Sequence, residues 1–548
     1  MAQGVNPTSN NHFEIYYTHP WGGVSSEADP SDIAPSQLVK MDNVTIRNGV
    51  IGAAKYDLYG SFNFGTNTGI PFVSFPVNYV VFNGSTTYIF SGKQAYRYVQ
   101  ASNTFVLDQT LTEATFQNLD CYVVIAGTFY FFDFLAGKGY TYVPGVSFTT
   151  TETFVGSLYA TVLDQQLLLA NSNQPTDSPA IKPNRINWSA PDSFAVWDPA
   201  ANRLAGFDVL QDVQDQITGI FTMGNVGFVL RNQGLTQLTP TGVAIEPFQF
   251  TPLWASAYGI GCTFPKTFAQ YGPAAIWAND NNIYQFSGGM PQEITGSAKN
   301  AIYSDINVNK NDATTNTYVS ACFANTSVDN NTPELAYILC IASNAVPGFL
   351  LKSTIITWSY NVKRQTWTRQ VLDGVQFVES LIGQAPLSVG TVQITGQYIT
   401  LDQPALTPLG NIPRSLYPII IINFVSFNGT ASAGVAILKE NYDGQPSGFT
   451  NASKPNINLV FRQEEFKLYR QPTVRRVLVK AAGVGTLAIQ VNNVTFTPIA
   501  VNSTTPIVYT SDGIFTGQNP QLTISSANFD GYIVKVMMAD TYADGETG

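Results

Sequence analysis

Histidine is almost missing from this chain. Its 548 residues contain two, His12 and His19, both within the first twenty positions. A body without imidazole excludes Ser-His-Asp and Cys-His activation of a nucleophile in the folded core. It also excludes His-rich zinc sites, and no His-Glu-x-x-His occurs. Charge is scarce as well, at 12% of residues, about half of the roughly 25% usual in soluble domains. There are 27 Lys+Arg against 37 Asp+Glu, a net charge of −10. Tight, sequence-independent DNA binding needs concentrated cations to displace counterions from phosphates, and the charge balance argues against it. Such a surface lets DNA slide past, because like charges repel. The four cysteines, Cys121, Cys262, Cys322 and Cys340, are far apart and form no CxxC pair. Zinc ribbons and thioredoxin-type sites are therefore unsupported, and buried free thiols are expected, although Cys322 and Cys340 fall on candidate neighbouring strands. No GxxxxGK[ST] is present, so a P-loop is unsupported.

Long apolar runs are lacking too. The strongest, Leu416–Phe427, is far shorter than the roughly 20 residues of a membrane helix and is interrupted by Asn423. The opening residues show neither the basic start nor the apolar core of a signal peptide. What is abundant is apolar and aromatic: 44% hydrophobic residues and 13% Phe, Trp and Tyr. That content excludes a disordered chain and a coiled coil. No cofactor is expected.

The dominant hydrophobic period is two. Tyr79–Val99 and Cys121–Val143 each read as short strands of β-branched and aromatic residues broken by turns, with Asn83-Gly84 a hairpin signal. Similar groups follow at Leu158–Pro199, Ile217–Gly242, Pro273–Ile294 and Glu334–Arg369. Their spacing, roughly 40–60 residues, suits four-stranded propeller blades. The fold class expected is all-β: a β-propeller of about six blades, with sandwich and jelly-roll arrangements as the alternatives. One short helix is expected within Glu293–Asn307, capped by Thr295 or Ser297.

Composition changes near Leu372. Every tryptophan lies before it, and the rest is rich in Val, Ile, Thr, Gln and Asn. The expected organisation is an extended N-terminal arm over residues 1–40, a propeller over 41–372 and one or two β-sandwich modules over 373–548. A hairpin is expected around Gly483–Gly485, with Val477 and Val479 facing one way and Arg476 and Leu478 the other.

Carboxylates are the remaining catalytic option. A glycosidase needs two, flanking one bond. Asp120, Asp133, Asp192, Asp198, Asp208, Asp215 and Asp280 lie near blade turns, where capping a turn with the side chain is the plainer role. The Ser-x-Asp-x-Gly-x-Thr-Trp box of sialidase propellers is missing. Asn279-Asp280-Asn281-Asn282 lacks EF-hand spacing, and turn chemistry explains it better than calcium. No catalytic or metal site is expected, and the protein reads as a non-enzyme.

Two surfaces are candidates for contact. Phe461–Lys480 is the densest charge cluster; in it Arg462, Glu464, Glu465, Lys467, Arg475 and Arg476 read equally as a salt-bridged contact between identical subunits and as a solvated strand face that guards an edge. In the arm, His12, Tyr16, Tyr17, His19 and Trp21 form a candidate docking segment, the histidines reading also as plain solvated residues.

Arg185–Gly242 resembles a segment of the tail nozzle or hub proteins of short-tailed bacteriophages, the group that includes packaged-DNA stabilisation proteins. Arg185, Trp188, Ser189 and Trp197 match its first part, and Ile217, Gly219, Gly224, Val229, Arg231, Gly234 and Leu238 its second. The following Gly-Cys strand and the Trp277 to Tyr284 spacing also fit, so the resemblance covers about Arg185–Arg369. It implies a structural virion protein of the phage tail, assembled in the host cytoplasm as a homo-oligomeric, hexameric ring below the portal and adaptor. Such a ring extends the DNA channel, retains the packaged genome, touches it transiently and conducts it at ejection. Portal-adaptor proteins, and tail fibre or tailspike proteins, are the implied partners. Two alternatives stay open: a tail protein that binds or cleaves carbohydrate, in keeping with the aromatic content, and a capsid or decoration protein.

Overall fold

The structure is a computed structural model. It describes residues 14–18, 21–26, 29–47, 50–53, 55–62, 77–83, 86–99, 104–151, 155–175, 177–191, 194, 196–197, 200, 202–211, 215–243, 246–254, 259–310, 315–325, 335–345, 353–386, 392–394, 397–399, 416–427, 430–441, 456–465 and 472–540.

Six consecutive four-stranded antiparallel meanders form a β-propeller. Blade 1 comprises Val77–Asn83, Thr86–Ser91, Gln94–Val99 and Thr104–Thr110. Blade 2 comprises Cys121–Ile125, Thr128–Asp133, Lys138–Val143 and Ser147–Thr151. Blade 3 holds Gly156–Leu163, Gln166–Asn173, Ile181–Trp188 and Gly206–Val209, and blade 4 holds Ile217–Met223, Val226–Arg231, Leu235–Val243 and Glu246–Trp254. Blade 5 is short: Ala269–Tyr271, Ala274–Ala278, Ile283–Phe286 and Gln292–Glu293. Blade 6 is Thr315–Asn325, Leu335–Ala345, Ser353–Asn361 and the first part of the 21-residue strand Thr366–Pro386.

Local chemistry explains the tight hairpins. In blade 2, Ile125 pairs with Thr128 across a two-residue loop in which Ala126 and Gly127 both have positive φ, 48° and 81°. Two positive φ values match the turn twist to the right-handed twist of the strands.

Blade-to-blade packing is aromatic. Phe90 of blade 1 meets Phe131 of blade 2 at 4.5 Å between ring centroids, and Trp188 of blade 3 meets Phe248 of blade 4 at 5.6 Å. Phe228 of blade 4 meets Phe286 of blade 5 at 5.0 Å. Each such ring, once buried, contributes about 1.5–3 kcal/mol by leaving water. First strands pack on first strands: Cys121–Ile125 on Gly156–Leu163, that strand on Ile217–Met223, and Ala269–Tyr271 on Thr315–Asn325. These strands therefore surround the axis. The wheel closes where Thr366–Pro386 packs against Val77–Asn83. Each blade is built from one contiguous stretch of chain.

The N-terminal segment corrects the expected boundaries. It is not a separate arm. Glu14–Thr18 pairs antiparallel with Asp530–Ala539, and Leu38–Asp42 pairs with Ile457–Gln463. Val50–Ala53 also pairs with Asp530–Ala539, and Lys55–Phe62 pairs with Thr430–Asn441. The first blade thus begins at Val77, not near residue 41. Burial drives this: Tyr17 and Leu38 are fully buried, and Trp21 nearly so, in a core shared with Trp358 and Trp367 of blade 6 and Phe461 and Val477 of the C-terminal region.

Two smaller expectations are corrected as well. Thr473–Val491 is one 19-residue strand with no hairpin at Gly483–Gly485. It stays paired on both sides, with Ile499–Thr516 and Asp530–Ala539. At φ 130° Gly483 passes so close to the partner backbone that a Cβ would stand 2.3 Å from the Asp530 carbonyl oxygen. Period-two alternation holds along it: Val477 and Val479 are buried, Arg476 and Leu478 half-buried. The helix is Lys299–Lys310, one turn later than expected. Ser297 and Thr295 do not cap it; their hydroxyls donate to the Val24 carbonyl and to Asn282. Ser26 takes that role, its Oγ accepting the Ala301 N–H at 3.0 Å.

Candidate functional site

The carboxylates near the blade turns are held in structural work. Asp133 is fully buried. It accepts the backbone N–H groups of Gln117 (2.7 Å), Asn118 (3.1 Å) and Ala136 (2.9 Å) and the Tyr140 hydroxyl (3.1 Å). Asp120 precedes the inner strand of blade 2 and accepts the Phe134 N–H at 2.7 Å and the Asn118 amide at 3.0 Å. Burial raises its pKa, and the hydrogen bonds work against that rise. Asp215 holds Arg231 at 2.5 Å, and Asp208 accepts the Val209 N–H at 2.7 Å. Asp280 is exposed, and the Asn279 side chain accepts the N–H groups of Asn281 and Asn282, each at 2.8 Å. That is turn chemistry. Asp192 and Asp198 lie outside the described residues.

The thiols are sealed. Cys262 and Cys340 are buried and Cys121 half-buried, and all three are thiols. Burial pushes Cys262 up to about 12 and Cys121 well above its ordinary value. Neutral thiols are poor nucleophiles. The Cys322 side chain lies outside the described residues.

Residues that carry the family resemblance build blades 3 and 4. Arg185 pairs with Asp177 and lies 3.7 Å over the centroid of the Phe207 ring. Trp188 lies across Gly206, where a Cβ would stand 2.9 Å from the indole. Ser189 Oγ accepts the Leu167 N–H at 3.0 Å, and Trp197 is half-buried. Ile217, Val229 and Leu238 are fully buried, and Gly224 turns a hairpin at φ 59°.

The two contact candidates, more than 440 positions apart in the chain, are brought together. Glu14–Thr18 lies beside Asp530–Ala539, which lies beside Thr473–Val491, and Ile499–Thr516 follows. Tyr17 packs on Phe461 at 4.8 Å, and Trp21 meets the same ring edge-on at 6.3 Å. Burial and the neighbouring Glu464 carboxylate push the Tyr17 phenol well above its usual range. Arg462 grips Glu464 with two hydrogen bonds, 2.5 and 2.6 Å, and reaches the Ile33 carbonyl at 3.3 Å. Arg476 pairs with Asp512 at 3.1 Å. Arg462 and Glu464 are thus partners within one chain, so the buried part of the cluster stabilises the module itself. Glu465 is exposed, Arg475 is half-buried and Tyr16 is 44% exposed. His12, His19 and Lys467 lie outside the described residues.

Sequence reasoning missed two features. Lys535 stands over the Tyr16 ring at 4.3 Å, on the strand beside it. Arg369 joins Asp42 and Asp305, all three far apart in sequence. No local motif signals either one.

No protein family model matches the chain, and no curated protein matches it. Among solved structures, the Pan2 WD40 domain of Neurospora crassa aligns over 70% of this chain and 95% of its own, with 8% identity and a TM-score of 0.33. The exo-beta-1,3-galactanase of Phanerochaete chrysosporium with beta-1,3-galactotriose aligns over 88% and 100%, with 10% identity and a TM-score of 0.25. The N-terminal domain of Nup159 aligns over 79% and 98%, with 10% identity and a TM-score of 0.24.

Proposed function

We propose that this chain is a structural protein of a short-tailed phage virion, a tail nozzle or hub that extends the DNA channel below the portal and adaptor. In this reading copies assemble into a ring, six by the family resemblance, which retains the packaged genome and conducts it at ejection. One observation carries the non-catalytic half: Asp120, Asp133, Asp208 and Asp215, drawn from the sequence as candidates for bond cleavage, hold backbone turns or an arginine. A carboxylate whose oxygens are filled by N–H donors is poorly placed to shuttle protons to a substrate. The net charge of −10 supports a channel wall to which DNA does not adhere in transit.

Copy number in purified virions tests the proposal. A small fixed number at the tail supports a nozzle. Hundreds of copies per particle mean a shell protein, and polysaccharide turnover by the isolated chain means an enzyme.

A further inference from the structure

We propose that the outer face of the sheet Ile499–Thr516, Thr473–Val491, Asp530–Ala539 and Glu14–Thr18 docks head to tail on the acidic blades of a second copy of this chain. This rests on the ring reading above and names the surfaces that make the ring.

Register places three rows across the four strands. Thr510, Leu478, Met537 and Tyr16 lie in one row, and Asp512, Arg476, Ala539 and Glu14 in the next. The third row sets Val508 beside Lys480 and Lys480 directly opposite Lys535. Two cations opposite each other on adjacent strands destabilise a sheet. An acidic partner turns that cost into an attraction. Val508 and Ile514 expose 52% and 60% of their surface on the outermost of these strands. Apolar contact ringed by charge is the make-up of a protein interface.

Charge distribution selects the occupant. On this face Arg476, Lys480 and Lys535 stand against Glu14 and Asp512, in a chain whose overall balance is −10. The blade region, residues 77–386, carries 14 Lys+Arg against 21 Asp+Glu. A face with a cationic row meets its complement on the blades of another copy. Two such faces meeting each other would set cation against cation, so the contact is heterologous, the kind that closes into rings. Glu14 and Asp512 at the end of the same face disfavour a phosphate backbone.

The test uses the full chain, wild type and the double variant Lys480→Glu/Lys535→Glu, each checked for fold by circular dichroism. Native mass spectrometry and sedimentation read assembly, and amide exchange reads protection of residues 14–18 and 508–514 as the wild type assembles. The expected result is protection that appears with assembly, and a dissociation constant raised at least about tenfold by the double reversal. If the variant assembles like the wild type and the face gains no protection, this surface is wrong while the ring reading stands. If the wild type stays monomeric at every concentration, both fall. If the wild type retains duplex DNA at moderate salt and the reversal abolishes it, the occupant is nucleic acid and self-docking is overturned.

Discussion

Arg369 in blade 6 grips Asp305 on the helix with two prongs, Nε to Oδ2 at 2.8 Å and Nη2 to Oδ1 at 3.0 Å. Its third nitrogen reaches Asp42 at 2.8 Å, and the Trp358 indole donates to Asp305 at 2.8 Å. The node thereby fastens the N-terminal segment and the helix to the last blade. Asp305→Ala leaves Arg369 short of a partner and the indole N–H without one. We predict a loss of about 1–3 kcal/mol, below the roughly 3–5 of a fully buried pair because the arginine keeps some water. Thermal melting checks this; a midpoint unchanged within error contradicts it.

Gly483 occupies a conformation that side chains resist, with no room for a methyl group. Gly483→Ala is expected to cost at least about 2–4 kcal/mol and to open the C-terminal strands. Limited proteolysis should then cut within 472–540 and spare the blades. A variant as resistant as the wild type would show that the strand crossing is looser than described.

Thiol chemistry should be silent in the folded state. At pH 8 a thiol with a pKa of about 12 is ionised in about one molecule in ten thousand. Maleimide labelling with peptide mapping is expected to leave Cys121, Cys262 and Cys340 unmodified until denaturant is added. Rapid native labelling of Cys262 would contradict its burial.

Acid stability carries one identifiable contribution. Glu113 accepts the Thr115 N–H at 3.1 Å and hydroxyls of Thr115 and Thr150, each at 2.8 Å, and lies 3.1 Å from Lys138. These bonds, the backbone one first, lower its pKa from 4.5 to about 2. The folded value is depressed, so the stabilisation is complete above the unfolded value and disappears as pH falls from there through about 2. Glu113→Gln should flatten the dependence of melting temperature on pH across that window and leave the slope above it unchanged. An unaltered slope in the window refutes the assignment.

Much of the wheel was legible because period-two alternation and turn residues act locally. The groups at Tyr79, Cys121, Leu158, Ile217 and Pro273 each became one blade. What failed was long-range. Nothing local says that Glu14–Thr18 will meet Asp530–Ala539, because strand partners are chosen by shape and burial across the whole chain. Gly483 and Gly485 looked like a turn since glycine marks turns and close backbone approaches alike. For the candidate contact surface, Arg476 and Tyr16 were found as types, yet Lys535 went unnoticed: a lone lysine in an apolar strand gains meaning only when register sets it opposite Lys480.

We propose that copies of this propeller build a ring. Native mass spectrometry of the assembled full-length chain, with images of the same sample, tests it most directly. The expected result is a closed ring of small, fixed copy number, six by the family resemblance. A chain that stays single at high concentration would contradict it.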